Sequence, residues 1–135
     1  MNDFSPLLPV LADEDLDPRA TKVFEDIRAT RKTDFVNNFW RVLANDPDNL
    51  ERTWHELKNL MGEGTSLDPL TKELIYVAVS TVNACTYCVR SHSAAARQKG
   101  ATPEQLAEVS AIVGAASKTN RIAIGLQVPV DEDFQ

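Results

Sequence analysis

The chain predicts an all-α fold, a single-domain helical bundle of about six to seven helices, on three observations. Four dipeptides, Asp17-Pro18, Asp46-Pro47, Asp68-Pro69 and Thr102-Pro103, each join a residue that can cap a helix to a proline at the first helical position, where a missing N–H costs nothing. Between these marks, apolar residues recur at spacings of three and four. One segment, residues 70–84, is β-branched enough for a buried strand, but about 15 residues is long for a strand and no second segment exists to pair with it.

In order, residues 1–16 are expected as an extended arm containing Pro6 and Pro9. Val23 and Ile27 mark the apolar face of the first helix, Phe35, Phe39, Val42 and Leu43 that of the second, and Leu50, Trp54, Leu57 and Met61 that of the third. Residues 70–84 are apolar nearly all round, which predicts a central helix covered on several sides. Asn83 is expected to break that helix and to cap the next, over about 83–99, whose basic last turn suits the negative end of the helix dipole. Gly100 then closes it in the left-handed conformation, and Thr102 with Gln105 forms a capping-box pattern. A helix over about 103–118, with Leu106, Val109, Ala111 and Val113, precedes a short apolar segment at 122–126 and an irregular tail at 127–135. All 135 residues are expected to form one domain.

A net charge of −6 argues against nucleic acid, which selects a basic stripe to displace counterions from phosphates. No glycine-rich phosphate loop appears, so no nucleotide cofactor is expected. No apolar run approaches the ~20 residues of a membrane helix. The expected location is the cytoplasm, where a cysteine pair is more often catalytic or metal-binding than a structural staple.

Both cysteines and one of the two histidines fall within Cys85-Thr86-Tyr87-Cys88-Val89-Arg90-Ser91-His92. On a helix, residues three and four apart are neighbours, so Cys85 meets Cys88 and Cys88 meets His92. Two sulfurs one turn apart have Cα atoms about 5–6 Å apart, within disulfide range. A helix start stabilises a thiolate, and an imidazole one turn on can take the thiol proton. Haem attachment is excluded, because Val89 stands where that motif needs histidine. A zinc site would need a distant fourth ligand such as Glu73 or His55 and fits poorly. Two half-buried cysteines that merely pack are the plain alternative. Trp40, Trp54, His55 and Tyr76 lie at helical spacing among apolar residues and read as core or subunit-contact groups.

Glu73, Cys85 twelve residues on, then Cys88, then His92 four further, resembles the active-site signature of the AhpD-like alkylhydroperoxidases in the carboxymuconolactone decarboxylase superfamily. The resemblance covers residues 60–114, including the turn Gly100-Ala101-Thr102-Pro103-Glu104. It implies a helical bundle that assembles into trimers or hexamers and reduces hydroperoxides by a dithiol/disulfide cycle, with no cofactor and no metal. By the same resemblance Cys88 is the attacking thiol, Cys85 the resolving thiol, and Glu73 with His92 a proton relay. The implied partners are a hydroperoxide and an external dithiol such as a lipoyl-bearing protein. Tyr87 stands where the best-known pattern has histidine, which removes one proton carrier and leaves Tyr87 as a supporting group. Decarboxylases of the superfamily lack the cysteine pair. Two other functions fit the residues: a general disulfide reductase or redox sensor, and a non-enzymatic bundle that binds metal or partner helices.

Overall fold

The computed structural model describes residues 5–135. These form six α-helices, α1 Pro18–Arg31, α2 Asn38–Leu43, α3 Pro47–Met61, α4 Pro69–Val82, α5 Thr86–Gln98 and α6 Pro103–Gly125, with short 3-10 turns at Asp13–Asp15 and Glu132–Phe134. The described residues contain no strand, and the fold is all-α. All four helix starts marked by proline are present. Asp17 accepts a hydrogen bond from the Arg19 N–H at 2.8 Å, Asp46 from Asn49 at 3.1 Å, Asp68 from Thr71 at 3.0 Å and Thr102 from Gln105 at 3.1 Å. The Gln105 side chain accepts the Thr102 N–H in return at 2.9 Å, completing the capping box, and Gly100 has a φ of 98°.

The chain divides into two compact units, Met1–Gly62 and Glu63–Gln135. In the first, α1 and α2 pack on α3 around Ala20, Val23, Phe24, Ile27, Val36, Trp40, Ala44, Leu50 and Trp54, all buried. Trp40 and Trp54 meet edge to face, their ring centroids 5.5 Å apart. Burying an indole leaves one donor to satisfy, and the Trp54 N–H donates to the Asp26 carboxylate at 2.7 Å. The second apolar stripe differs from the expected one: α2 begins only at Asn38, Phe35 and Phe39 are exposed, and Val36 and Trp40 are inside. Phe35 and Val36 precede the helix, so a helical spacing counted from them does not set its inward face. The larger indole takes the buried position.

The expected extended arm is interrupted by the turn at Asp13–Asp15, and its residues 1–4 lie outside the described residues. Asp13 is held there by Arg28 at 2.7 Å and Arg41 at 3.0 Å. Arg41 also donates to the Leu11 carbonyl at 2.9 Å, tying the backbone before the turn.

In the second unit, α4 packs against both α5 and α6. α6 runs without a break to Gly125, so the shorter helix and separate apolar segment expected there are one element. The polar stretch Ser117-Lys118-Thr119-Asn120 lacks proline and glycine and does not stop it. No residue of α6 is fully buried, and α4 leaves Ile75, Val79 and Val82 exposed, so the close covering expected around α4 is partial.

Candidate active site

α4 and α5 are joined by a tight corner that sets the cysteines. Asn83 ends α4, its N–H bonded to the Val79 and Thr81 carbonyls, instead of capping α5 as the sequence suggested. Ala84 follows in the left-handed conformation at φ 57°, and the Cys85 N–H returns to the Ser80 carbonyl at 3.0 Å. The helix cap is Cys85 itself, whose sulfur accepts the Cys88 N–H at 3.2 Å. Both cysteines therefore sit at the start of α5, where unpaired N–H groups favour negative charge on sulfur. They are joined as a disulfide, with Cα atoms 5.3 Å apart. A groove of about 260 Å³ opens on the Cys85 side, lined by Ser80, Thr81, Ala84, Cys85, Thr86, Val89 and Arg90.

One turn further along α5, His92 meets Glu73 of α4, Nδ1 to Oε2 at 2.7 Å. Glu73 is only 5% exposed. Burial is the largest influence on its carboxyl group and raises its pKa, but the His92 hydrogen bond and the charge and hydrogen bond of Lys99 together outweigh it, and the net shift is downward. Glu73 is thus a carboxylate, which can only accept hydrogen bonds. The hydrogen between them therefore belongs to His92 Nδ1, and in the neutral ring Nε2 carries a free lone pair.

Two groups of this site were not read as functional from the sequence. Lys99 Nζ donates to the other Glu73 oxygen at 3.2 Å. The Tyr76 ring stacks on the His92 imidazole, centroids 3.6 Å apart and planes 19° apart, which fixes the orientation of the ring. The helical spacing held a signal for both. Tyr76 is three residues from Glu73, and Lys99 is seven from His92, so each shares a face with its neighbour. Tyr87 is exposed beside the cysteines, while His55 lies in the other unit and is exposed. Among the described residues, no group of three or more His, Cys, Asp or Glu side chains is arranged to hold a metal ion.

A model of the carboxymuconolactone decarboxylase family matches residues 47–130, which include every residue of this site. The chain belongs to that family. Within the carboxymuconolactone decarboxylase family, it is similar to the alkylhydroperoxidase AhpD core of Rhodospirillum rubrum, whose crystal structure superposes with a TM-score of 0.92 at 54% sequence identity over 96% of each chain. It also resembles uncharacterized protein 4 of the cox locus of Paracoccus denitrificans, at 49% identity over 43 residues. That match spans 32% of this chain and 39% of the Paracoccus protein. The AhpD-like helical fold expected from the cysteine signature is the fold observed.

Proposed function

We propose that the chain is a thiol peroxidase that reduces organic hydroperoxides through a Cys85–Cys88 dithiol/disulfide cycle. The observation that carries this reading is the pairing of buried Glu73 with half-buried His92 one helical turn beyond a disulfide at a helix start. In the reduced protein, His92 Nε2 takes the Cys88 proton. The Cys88 thiolate attacks the distal peroxide oxygen, the O–O bond breaks, and the alcohol leaves with a proton returned from the imidazolium. Cys85 then attacks the resulting sulfenic acid, water leaves, and the disulfide forms. An external dithiol restores both thiols, becoming a disulfide itself. Similarity to an alkylhydroperoxidase AhpD core supports the assignment.

The reading includes a homo-oligomer, a trimer or hexamer. Exposed Ile112, Ile122 and Ile124 on α6 and Val79 and Val82 on α4 leave apolar surface of the kind that association covers. No helix of the described residues is long and apolar enough to cross a membrane. A reducing cytoplasm suits an enzyme that must be re-reduced in each cycle.

Purified protein supplied with cumene hydroperoxide and dihydrolipoamide tests the function. Steady peroxide consumption, with two free thiols in the reduced form and none after mild oxidation of the folded protein, is the expected result. Reduction of model disulfides without peroxide consumption would establish the disulfide-reductase alternative instead. Light scattering that returned a monomer at micromolar concentration would remove the oligomer.

A further inference from the structure

Glu73 offers two oxygens to α5, and each is used. Oε2 meets His92 Nδ1 at 2.7 Å and Oε1 meets Lys99 Nζ at 3.2 Å, with the carboxylate side chain 7% exposed and the lysine 36%. A buried carboxyl group with no positive neighbour holds its proton, because burial penalises the charged form. If Glu73 held a proton, its O–H would donate to Nδ1, and the imidazole's own hydrogen would have to sit on Nε2. Nε2 would then be a donor with no lone pair, and His92 could not take a proton from Cys88. The charge state of Glu73 therefore selects the tautomer of His92.

We propose that Lys99 is a positioning residue of this site: by holding Glu73 as a carboxylate, it keeps the hydrogen of His92 on Nδ1 and leaves Nε2 free as the base. The assignment deepens the thiol-peroxidase reading and rests on it in taking Cys88 as the group that His92 deprotonates. Lys99 is the residue whose ammonium group meets the free oxygen of the Glu73 carboxylate. Its own helix also carries Lys72 and Tyr76, and α5 carries Tyr87, Cys88, Arg90, His92 and Arg97, with Lys99 as the residue that closes it. The ionisable groups of α6 are Glu104, Glu108, Lys118 and Arg121, all exposed. The charges that act most strongly on Glu73 are those of Lys99 and His92. A lysine at a helix end also offsets the helix dipole, but that role acts on stability and leaves the imidazole tautomer alone.

Nitrogen-15 NMR of the full-length oxidised protein reads the tautomer directly. The chain has two histidines, so a His55→Gln background assigns every imidazole signal to His92. Near neutral pH, the protein with Lys99 is expected to carry the hydrogen on Nδ1. Lys99→Met should move it to Nε2, and Lys99→Arg should return it to Nδ1. In a Cys85→Ser background, whose serine still caps α5, the iodoacetamide reaction of Cys88 supplies a second readout. There Lys99→Met should shift the acid limb of the pH–rate profile up by about one unit, slowing the reaction about tenfold on that limb. Lys99→Gln, which keeps a hydrogen-bond donor without the charge, should behave like Lys99→Met. An Nδ1 hydrogen in Lys99→Met, with a profile that superimposes on that of the parent, would overturn the assignment. A tautomer that moves as expected in a protein that consumes no hydroperoxide would uphold the role of Lys99 and sink the peroxidase reading alone.

Discussion

The two units of the chain bury different things. Met1–Gly62 buries an indole pair, a phenylalanine and aliphatic side chains, and its charged groups lie at the rim: Asp13 between two arginines, Asp26 against Trp54 and Lys58. Among the described residues of Glu63–Gln135, the fully buried positions are Val77 and Ala96 together with Lys72, Glu73 and Ser80. A charged group withdrawn from water is costly unless it is paired, and Glu73 has both His92 and Lys99. The first unit is organised for cohesion and the second around a polar site, with its apolar residues displayed on α4 and α6. Removing side chains from the first should cost stability, and removing site residues from the second should cost chemistry.

The largest expected effect falls on chemistry. His92→Ala or Glu73→Gln should slow reaction of the Cys88 thiol with peroxide by roughly 10²- to 10⁴-fold, as for loss of a general base. Cys88→Ser should abolish it, while Cys85→Ser should leave one oxidation and trap a sulfenic acid that dimedone labels. Stopped-flow peroxide consumption and mass spectrometry measure these. Label on Cys85 in the Cys88→Ser protein, with none on Cys88 in the reciprocal variant, would reverse the two roles. Full activity in both relay variants would erase the distinction between the units.

Next comes stability. Trp54→Ala removes a buried indole, its edge-to-face contact with Trp40 and a bond to Asp26, and should cost about 3–5 kcal/mol in urea unfolding. Thiol reactivity of the protein that remains folded should be unchanged, because no site residue lies in the first unit. A loss below 1 kcal/mol would show that the indole pair is not the core it resembles.

Acid should weaken both units through carboxylates held below the usual range. Asp26 is lowered first by the Trp54 N–H and then by Lys58, and Asp13 by Arg28 and then Arg41. For Glu73 burial is the largest single influence and raises the pKa, but His92 and Lys99 together outweigh it and lower it. In each case the unfolded chain binds the proton more readily than the folded one. Their stabilisation is therefore complete above the ordinary carboxylate pKa, near 4, and is lost as pH falls through the lower folded values. Glu73→Gln should make unfolding less steep in pH below about 4. Thermal melts between pH 2 and 7 would show this, and an unchanged slope would mean that Glu73 contributes no such linkage.

The smallest effect concerns the corner between α4 and α5. Ala84 holds φ 57°, where a Cβ crowds the backbone at a cost of about 1 kcal/mol. Ala84→Gly should remove that strain and raise stability by up to about 1 kcal/mol, less the entropy glycine adds to the unfolded chain. A destabilised variant would place the cost elsewhere.

The helix starts were readable because proline and a short polar cap act locally, as at Asp17, Asp46, Asp68 and Thr102. The start of α5 was not, since its cap is a sulfur and its corner residue is an alanine in a conformation that alanine rarely adopts. The inward face of α2 was misread because the helix begins only at Asn38, so the spacing counted from Phe35 ran outside it and tertiary packing placed Val36 and Trp40 inside. At the site, Cys85, Cys88 and His92 announced themselves by proximity in the chain. Glu73 drew notice only through a family signature, and Lys99 looked like an ordinary last-turn lysine. Their meeting depends on how α4 lies along α5, which no local pattern encodes.

One detail of that corner ties the redox state to the backbone. The atom that accepts the Cys88 amide in the first turn of α5 is the Cys85 sulfur, and it is also an atom whose bonding changes in each proposed cycle. As half of a disulfide it is a weak, neutral acceptor; as a thiolate it carries a full charge beside the same N–H. Ionisation of Cys85 in the reduced protein should therefore tighten the end of the helix, and at a pH that ionises both thiols the Cys88 amide should exchange with deuterium more slowly than in the oxidised protein. The first turn of α5 would then act as a gauge of electron occupancy, legible from the main chain without touching either sulfur.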